Sequence, residues 1–283
     1  MRDTLRRRSL TALWGVPTAL VCIWVGGWLL ALGAAVLATM AFTEFWQLGR
    51  AVGVNERLRW EVLAAGYAVL AAATVGTGAF SAALGWGVVA VIVGGVIRGS
   101  AQRDAGQVRG QLLASVWAIL ALLYIPWLLG HLLLLRHTPP GRLGLERAMA
   151  TLVLVWLGDV AAFAIGATLG RHRLAAVLSP GKSVEGAVAG IAAAAIAAGA
   201  GAGLLRLPVP ASVLVGAAIG AAGLVGDLWE SLVKRGAAVK DSGTAVPGHG
   251  GVLDRFDSLL VAAPVAYWLL ARVPWHALPG PLH

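Results

Sequence analysis

The chain has 283 residues, of which 59% are hydrophobic and only 12% charged, with a mean hydropathy of +0.81. Soluble domains carry about 25% charged residues, so this composition excludes an ordinary water-soluble globular protein. A net charge of +9 would suit a nucleic-acid partner, but the basic residues fall in short loops between apolar runs, as the positive-inside rule expects. No nucleic-acid partner is expected.

A helical span needs about 20 mostly apolar residues, and such runs follow one another along the chain. The start, MRDTLRRRSLTALWG, resembles a signal peptide and a twin-arginine signal. The apolar stretch continues to about Leu48 without a convincing cleavage site, so an uncleaved first span is expected. Leu10 to Leu48 has room for two spans hinged near Gly26 and Gly27. The single cysteine, Cys22, lies in this stretch, has no internal disulfide partner and reads as a small buried hydrophobe.

A basic loop with Arg50, Arg57 and Arg59 follows, then spans over 61–77 and 81–97 and a loop with Arg98, Arg103 and Arg109. The fifth span, 111–135, contains Pro126, which removes one helical hydrogen bond and should kink it without splitting it. The remaining spans are expected over 148–170, 184–205, 208–233 and 258–274. The expected fold is therefore all-α: a polytopic integral membrane protein with about nine transmembrane helices. About five lie in residues 1–150; the others, in 151–283, carry the charged motifs, all within one continuous membrane domain. With the N-terminus inside, most of the 22 Lys and Arg face the cytoplasm. The exception is the loop with Arg136, Arg142 and Arg147. Segment 184–205 is nearly all Ala and Gly, which permits close helix packing in lipid.

Of the 13 acidic residues, Asp3, Glu44, Glu56, Glu61, Asp104 and Glu146 can be placed in loops or at span ends. Asp159 lies inside an apolar span, and Asp227 and Glu230 lie near the end of another. A carboxylate at membrane depth costs about 2.5–3.5 kcal/mol even on lenient scales, so it faces a polar cavity or makes an interhelical hydrogen bond. Asp227, Glu230, Ser231 and Lys234 stand at i, i+3, i+4 and i+7, one helical face. That stripe runs into KDSGTAVPGHGGVLDRFD, Lys240 to Asp257, a Gly-rich loop that gathers charge in an otherwise apolar chain.

A second polar island, SPGKSVE from Ser179 to Glu185, has Ala176 where a P-loop would need glycine. Lys182 and a helix starting near Ser183 still offer charge and free N–H groups to a phosphate. Alternatively Ser183 caps the helix, with Glu185 in its first turn; the two roles are compatible. Asp227, Asp254 and Asp257 near several cations suit metal-assisted phosphoryl chemistry, with hard oxygen donors for Mg²⁺. Zinc is not expected, because the loop's one histidine, His249, has no cysteine partner. His249 is either a phosphate donor or a loop-shaping residue.

The run from Ser231 to Asp257, SLVKRGAAVKDSGTAVPGHGGVLDRFD, resembles the signature of the phosphatidate cytidylyltransferase (CDP-diacylglycerol synthase) family. Its Ser, Lys-Arg, Lys-Asp, small residue, Pro, His-Gly-Gly and Asp-Arg-x-Asp elements all stand at the expected separations. GDLWES before it is similar to the family too. Asp159, Phe163 and Gly166 resemble an Asp-x-x-Ala-Tyr-x-x-Gly segment, and SPGKSVEG resembles Ser-Pro-Lys-Lys-Thr-x-Glu-Gly, with Gly181 and Ser183 as departures. The first 150 residues match only in hydrophobic character and span number.

The resemblance implies a Mg²⁺-dependent nucleotidyltransferase that makes CDP-diacylglycerol and pyrophosphate from CTP and phosphatidate, in the inner membrane with a polar cavity facing the cytoplasm. On it, Asp227 and Asp254 are expected as the primary metal ligands and Asp257 as a further one. Lys234, Arg235, Lys240 and Arg255 are expected to contact phosphates, Arg255 alternatively to pair with Asp257. Asp241 serves the metal's water shell or orients a lysine. Asp159, Lys182, Ser183, Ser231, Gly250 and Gly251 are expected at the substrates. A monovalent cation beside Mg²⁺ and a homodimer remain open. So do a cytidylyltransferase for another lipid phosphate and, from a different class, an ion-coupled transporter.

Overall fold

A computed structural model describes residue 15, residues 17–243 and residues 251–273. Residues 17–25 are helical and the helix breaks at Gly26 and Gly27, which take φ of 69° and 51°. Positive φ is accessible to glycine at little cost, and the expected hinge lies there. The helices that follow are α1 (Gly27–Ala51), α2 (Arg59–Val75), α3 (Thr77–Ser100) and α4 (Ala105–Leu122). A π-helical turn, Leu123–Trp127, carries Pro126 and leads directly into α5 (Leu128–His137). Proline supplies no N–H, and a widened turn absorbs the missing bond. The helix runs on through Ala105–His137, so Pro126 does not divide the span.

Next come α6 (Arg142–Leu169), a small antiparallel hairpin of β1 (Arg173–Ala175) and β2 (Ser179–Ser183), α7 (Val184–Ala200) and a short turn of helix, α8 (Ala202–Leu205). The last helices are α9 (Val209–Gly236) and α10 (Leu253–Tyr267), which ends in a π turn, Trp268–Arg272. Five elements among the described residues are long and apolar enough to cross a membrane: α1, α3, Ala105–His137, α6 and α9. With the shorter apolar helix α7 they make a polytopic α-helical membrane protein. Among the described residues the hairpin is the one addition to the expected all-α fold; it forms where the second polar island was read as a loop.

The chain forms two compact units. The first holds the described residues up to Leu134 together with Val233–Arg255. Aromatic rings fill its core. Phe45 stacks on Trp117 with centroids 4.5 Å apart, and Phe80 on Trp127 at 4.1 Å. Trp117 donates its indole N–H to the Phe45 carbonyl at 3.3 Å, which satisfies the one polar atom of a large ring. Thr39 and Thr43 donate their hydroxyls back to the carbonyls of Ala35 and Thr39 on α1, the usual way to satisfy a hydroxyl where water is scarce.

The second unit holds Leu135–Leu232 and the described residues from Phe256 onward. Its core is built from small residues. A Cβ on Gly190 of α7 would lie 2.8 Å from the Gly158 carbonyl oxygen of α6, and one on Gly158 would lie 3.3 Å from the Gly190 oxygen. A Cβ on Gly220 of α9 would lie 3.0 Å from the Ala194 Cβ of α7. The Ala/Gly composition of 184–205 thus does what it promised. Backbones approach until dispersion replaces the driving force that lipid cannot supply. Arg147, 9% exposed, donates from Nη2 to the Leu205 carbonyl at 3.3 Å and satisfies the end of α8.

Candidate active site

In the second unit, α9 presents Asp227 and the hairpin presents Lys182, and the two side chains form an ion pair. Successive strand residues point to opposite sides, which lets neighbours on β2 do different work. Lys182 reaches Asp227, while the Ser183 hydroxyl accepts from the Gly186 N–H at 3.1 Å and caps α7. The capping role expected of Ser183 is therefore observed, with Glu185 in the first turn of α7. Glu185 also ties the helix to the hairpin, since it accepts from the Arg171 N–H at 3.1 Å and contacts His172 Nδ1 at 2.6 Å.

Gly226 brings α10 against α9: a Cβ there would overlap the Asp257 carbonyl. This contact places Asp257, 7% exposed, beside the Asp227 turn. Its Oδ1 accepts from the Ser258 N–H at 2.7 Å, and the Ser258 hydroxyl donates to Asp159 at 3.3 Å. Asp159, Asp227 and Asp257 repel one another electrostatically, and Lys182 offsets the repulsion at Asp159. Four expected residues thus form one cluster: Asp159, Lys182, Asp227 and Asp257. Glu230 is buried at 1% and hydrogen-bonds Asp257; Ser231 is buried at 8%.

In the first unit the last turn of α9 carries Lys234 and Arg235, cations placed where the helix dipole favours them. Lys234 pairs with Asp254, a side chain only 11% exposed. The other Asp254 oxygen accepts from the Gly251 N–H at 2.9 Å, the Ser242 hydroxyl at 3.0 Å and the Ser242 N–H at 3.2 Å. Asp254, expected as a metal ligand, is thus held by one ammonium and three neutral donors. Arg235, Lys240, Asp241 and Arg255 are exposed, and the Arg235 guanidinium donates to the Val239 carbonyl at 3.2 Å. Gly251 is buried. His249 and Gly250 lie outside the described residues.

Two participants escaped the reading of the sequence. Ser242 passed as an unremarkable small residue of the signature. Glu44 was assigned to a loop or span end. Instead it lies about two turns inside α1, 3% exposed, and accepts from the Ser242 hydroxyl and the Val252 and Leu253 N–H groups. The signal was available, because AFTEFWQL puts one acid inside an apolar helix, where its cost demands partners.

Carboxylate oxygens are the right donors for Mg²⁺, which takes one or two of them plus substrate phosphates. Asp227 and Asp257 meet that modest requirement chemically. No group of three or more His, Cys, Asp or Glu among the described residues converges on a metal position.

Curated proteins of one name are similar to this chain. A protein of Synechocystis named phosphatidate cytidylyltransferase is 30% identical over 93% of this chain and 96% of its own length. Proteins of that name from Bacillus subtilis and Pseudomonas aeruginosa are 41% and 46% identical. Those two alignments cover 45% and 46% of this chain and about half of each relative, 48% and 49%. The cytidylyltransferase family profile matches residues 6–273, nearly the whole chain. The profile spans nearly all of the chain and the Synechocystis alignment covers both proteins almost end to end, so the chain belongs to the cytidylyltransferase family.

Proposed function

We propose that this membrane protein transfers a cytidylyl group from CTP to phosphatidate, giving CDP-diacylglycerol and pyrophosphate. The observation that carries the proposal is the pairing of partly buried carboxylates with lysines of the two polar segments, Lys182 with Asp227 and Lys234 with Asp254, in a chain of apolar helices. Charged side chains in such helices are expensive and reserved for function. A reaction between a water-soluble polyanion and a lipid phosphate needs them. The cavity that serves it opens to the cytoplasm of the inner membrane for CTP and to the bilayer for lipid.

The chemistry asks little of proton transfer. A phosphatidate phosphate oxygen is already anionic; it attacks the α-phosphorus of CTP, and the bond from that phosphorus to the bridging oxygen of pyrophosphate breaks. The protein must bring two polyanions together and neutralise the charge that leaves. Lys234, Arg235, Lys240 and Arg255 supply positive charge to the phosphates. Lys182 does so while keeping Asp227 oriented. The resemblance offers Asp227 and Asp254 as primary Mg²⁺ ligands and Asp257 as a further one; within the second unit, Asp227 and Asp257 would hold the metal. When bound, the metal would screen phosphate charge and stabilise the leaving pyrophosphate.

The test is product analysis with purified protein, radiolabelled CTP and a panel of lipid phosphates. A CDP-lipid that forms with phosphatidate and disappears in excess EDTA is expected. Product only with a different lipid phosphate, such as one carrying ether-linked chains, would move the substrate assignment. Undiminished synthesis in EDTA would remove the metal from the mechanism.

A further inference from the structure

The Glu44 carboxylate belongs to α1, yet its partners among the described residues lie about 200 residues later in the chain. Oε1 accepts from the Val252 N–H at 2.8 Å; Oε2 accepts from the Leu253 N–H at 2.8 Å and from the Ser242 hydroxyl at 3.0 Å. Val252 and Leu253 are where α10 begins, and the first N–H groups of a helix have no partner within it. An anion there is also favoured by the helix dipole. Glu44 therefore does from a distant helix what an N-cap side chain does locally, and by the same carboxylate it grips Ser242 on the other side of the loop. Glycines make the approach possible. A Cβ on Gly243 would lie 2.9 Å from Glu44 Cγ, and one on Gly251 would overlap both the Ser242 hydroxyl and Glu44 Oε2.

The consequence reaches Asp254. The Ser242 oxygen stands 3.0 Å from a Glu44 oxygen and 3.0 Å from Asp254 Oδ2. A hydroxyl has one proton to donate, so it serves one carboxylate at a time, and its position is set by both. With Ser242 and Gly251 holding Oδ2, the remaining Asp254 oxygen faces Lys234. We propose that Glu44 is a positioning residue for the signature: it fixes Ser242 and the start of α10 so that Asp254 presents Lys234 to the substrate phosphates. The chain of contacts exists whatever the reaction; its catalytic meaning rests on the proposed cytidylyl transfer.

Glu44→Gln keeps the shape and replaces one acceptor oxygen by an N–H₂ donor, which must face an N–H donor at the start of α10. Hydrogen exchange in the purified full-length protein is expected to rise at Val252 and Leu253 in this variant. Its kcat is expected to fall about 10- to 100-fold, as when outer-shell partners of functional groups are removed, with KM for CTP changed less than about threefold. Ser242→Ala should produce the same kcat loss, and the double variant should be no worse than the more impaired single one, because both act through one chain of contacts. Wild-type kcat in either single variant, or losses that multiply in the double variant, would overturn the proposal. If Glu44→Gln does not fold, Ser242→Ala decides alone, and wild-type kcat there is fatal. A wild-type protein that makes no CDP-lipid would instead refute the reading of function, while exchange at Val252 and Leu253 still reports whether Glu44 holds the helix start.

Discussion

Lys182 of the hairpin and Asp227 of α9, 45 residues apart, form an ion pair that joins the polar island Ser179–Glu185 to the polar stripe of α9. The lysine is 21% exposed and the aspartate 36%, so the pair is neither sealed away nor fully solvated. It holds a carboxylate that two further acids, Asp159 and Asp257, would otherwise push away.

Lys182→Met is accordingly expected to lower kcat at least tenfold, since it leaves the clustered acids without their nearest cation. Lys182→Arg should retain part of the activity, because it keeps the charge but not the compact point-like ammonium. Steady-state kinetics of the two variants with CTP and phosphatidate check this. Equal activity of Lys182→Met and wild type would deny Lys182 its role.

Asp227 and Glu230 share a helix face and should still behave differently. Asp227 meets Lys182 and is accessible; Glu230 is 1% exposed beside Asp257. Asp227→Asn is expected to abolish nearly all activity at saturating Mg²⁺, and Glu230→Gln to cost about 10- to 100-fold, the scale of outer-shell changes. Should Asp227→Asn prove the more active of the two, the metal cannot sit where proposed.

Gly226 is the close contact between α9 and α10, so Gly226→Ala must push the Asp257 backbone away. Overpacking of this kind costs about 1–3 kcal/mol. A lower unfolding temperature in detergent and reduced activity are expected together. Gly236, on the same helix with open space around its Cβ position, provides the control: Gly236→Ala should leave the unfolding temperature unchanged or raise it. Identical behaviour of the two variants would argue that the α9–α10 contact is unimportant.

The cytoplasmic assignment of segments 50–59, 98–109 and 234–257 predicts the reactivity of cysteines introduced there in a background lacking Cys22. In intact cells they should be protected from an impermeant thiol reagent and become reactive once the membrane is opened. Labelling of the 234–257 segment from outside would reverse the topology.

Composition and apolar run length were enough to establish a polytopic helical membrane protein, because the bilayer demands long apolar helices whatever their partners. Local chemistry was equally legible: the break at Gly26 and Gly27, the uninterrupted helix through Pro126 and the Ser183 cap all depend on residues close in sequence. The signature's spacing pointed to the family for the same reason. What the sequence could not disclose is which charge meets which. Lys234 choosing Asp254, Lys182 choosing Asp227 and Glu44 capping α10 follow from how helices rotate and cross. In lipid both faces of a helix are apolar, so periodicity does not mark the inward side. Only the tertiary structure turned Glu44 from an acid at the edge of a span into the partner of a helix start about 200 residues away, because unsatisfied N–H groups and a buried carboxylate find each other in space and not along the chain.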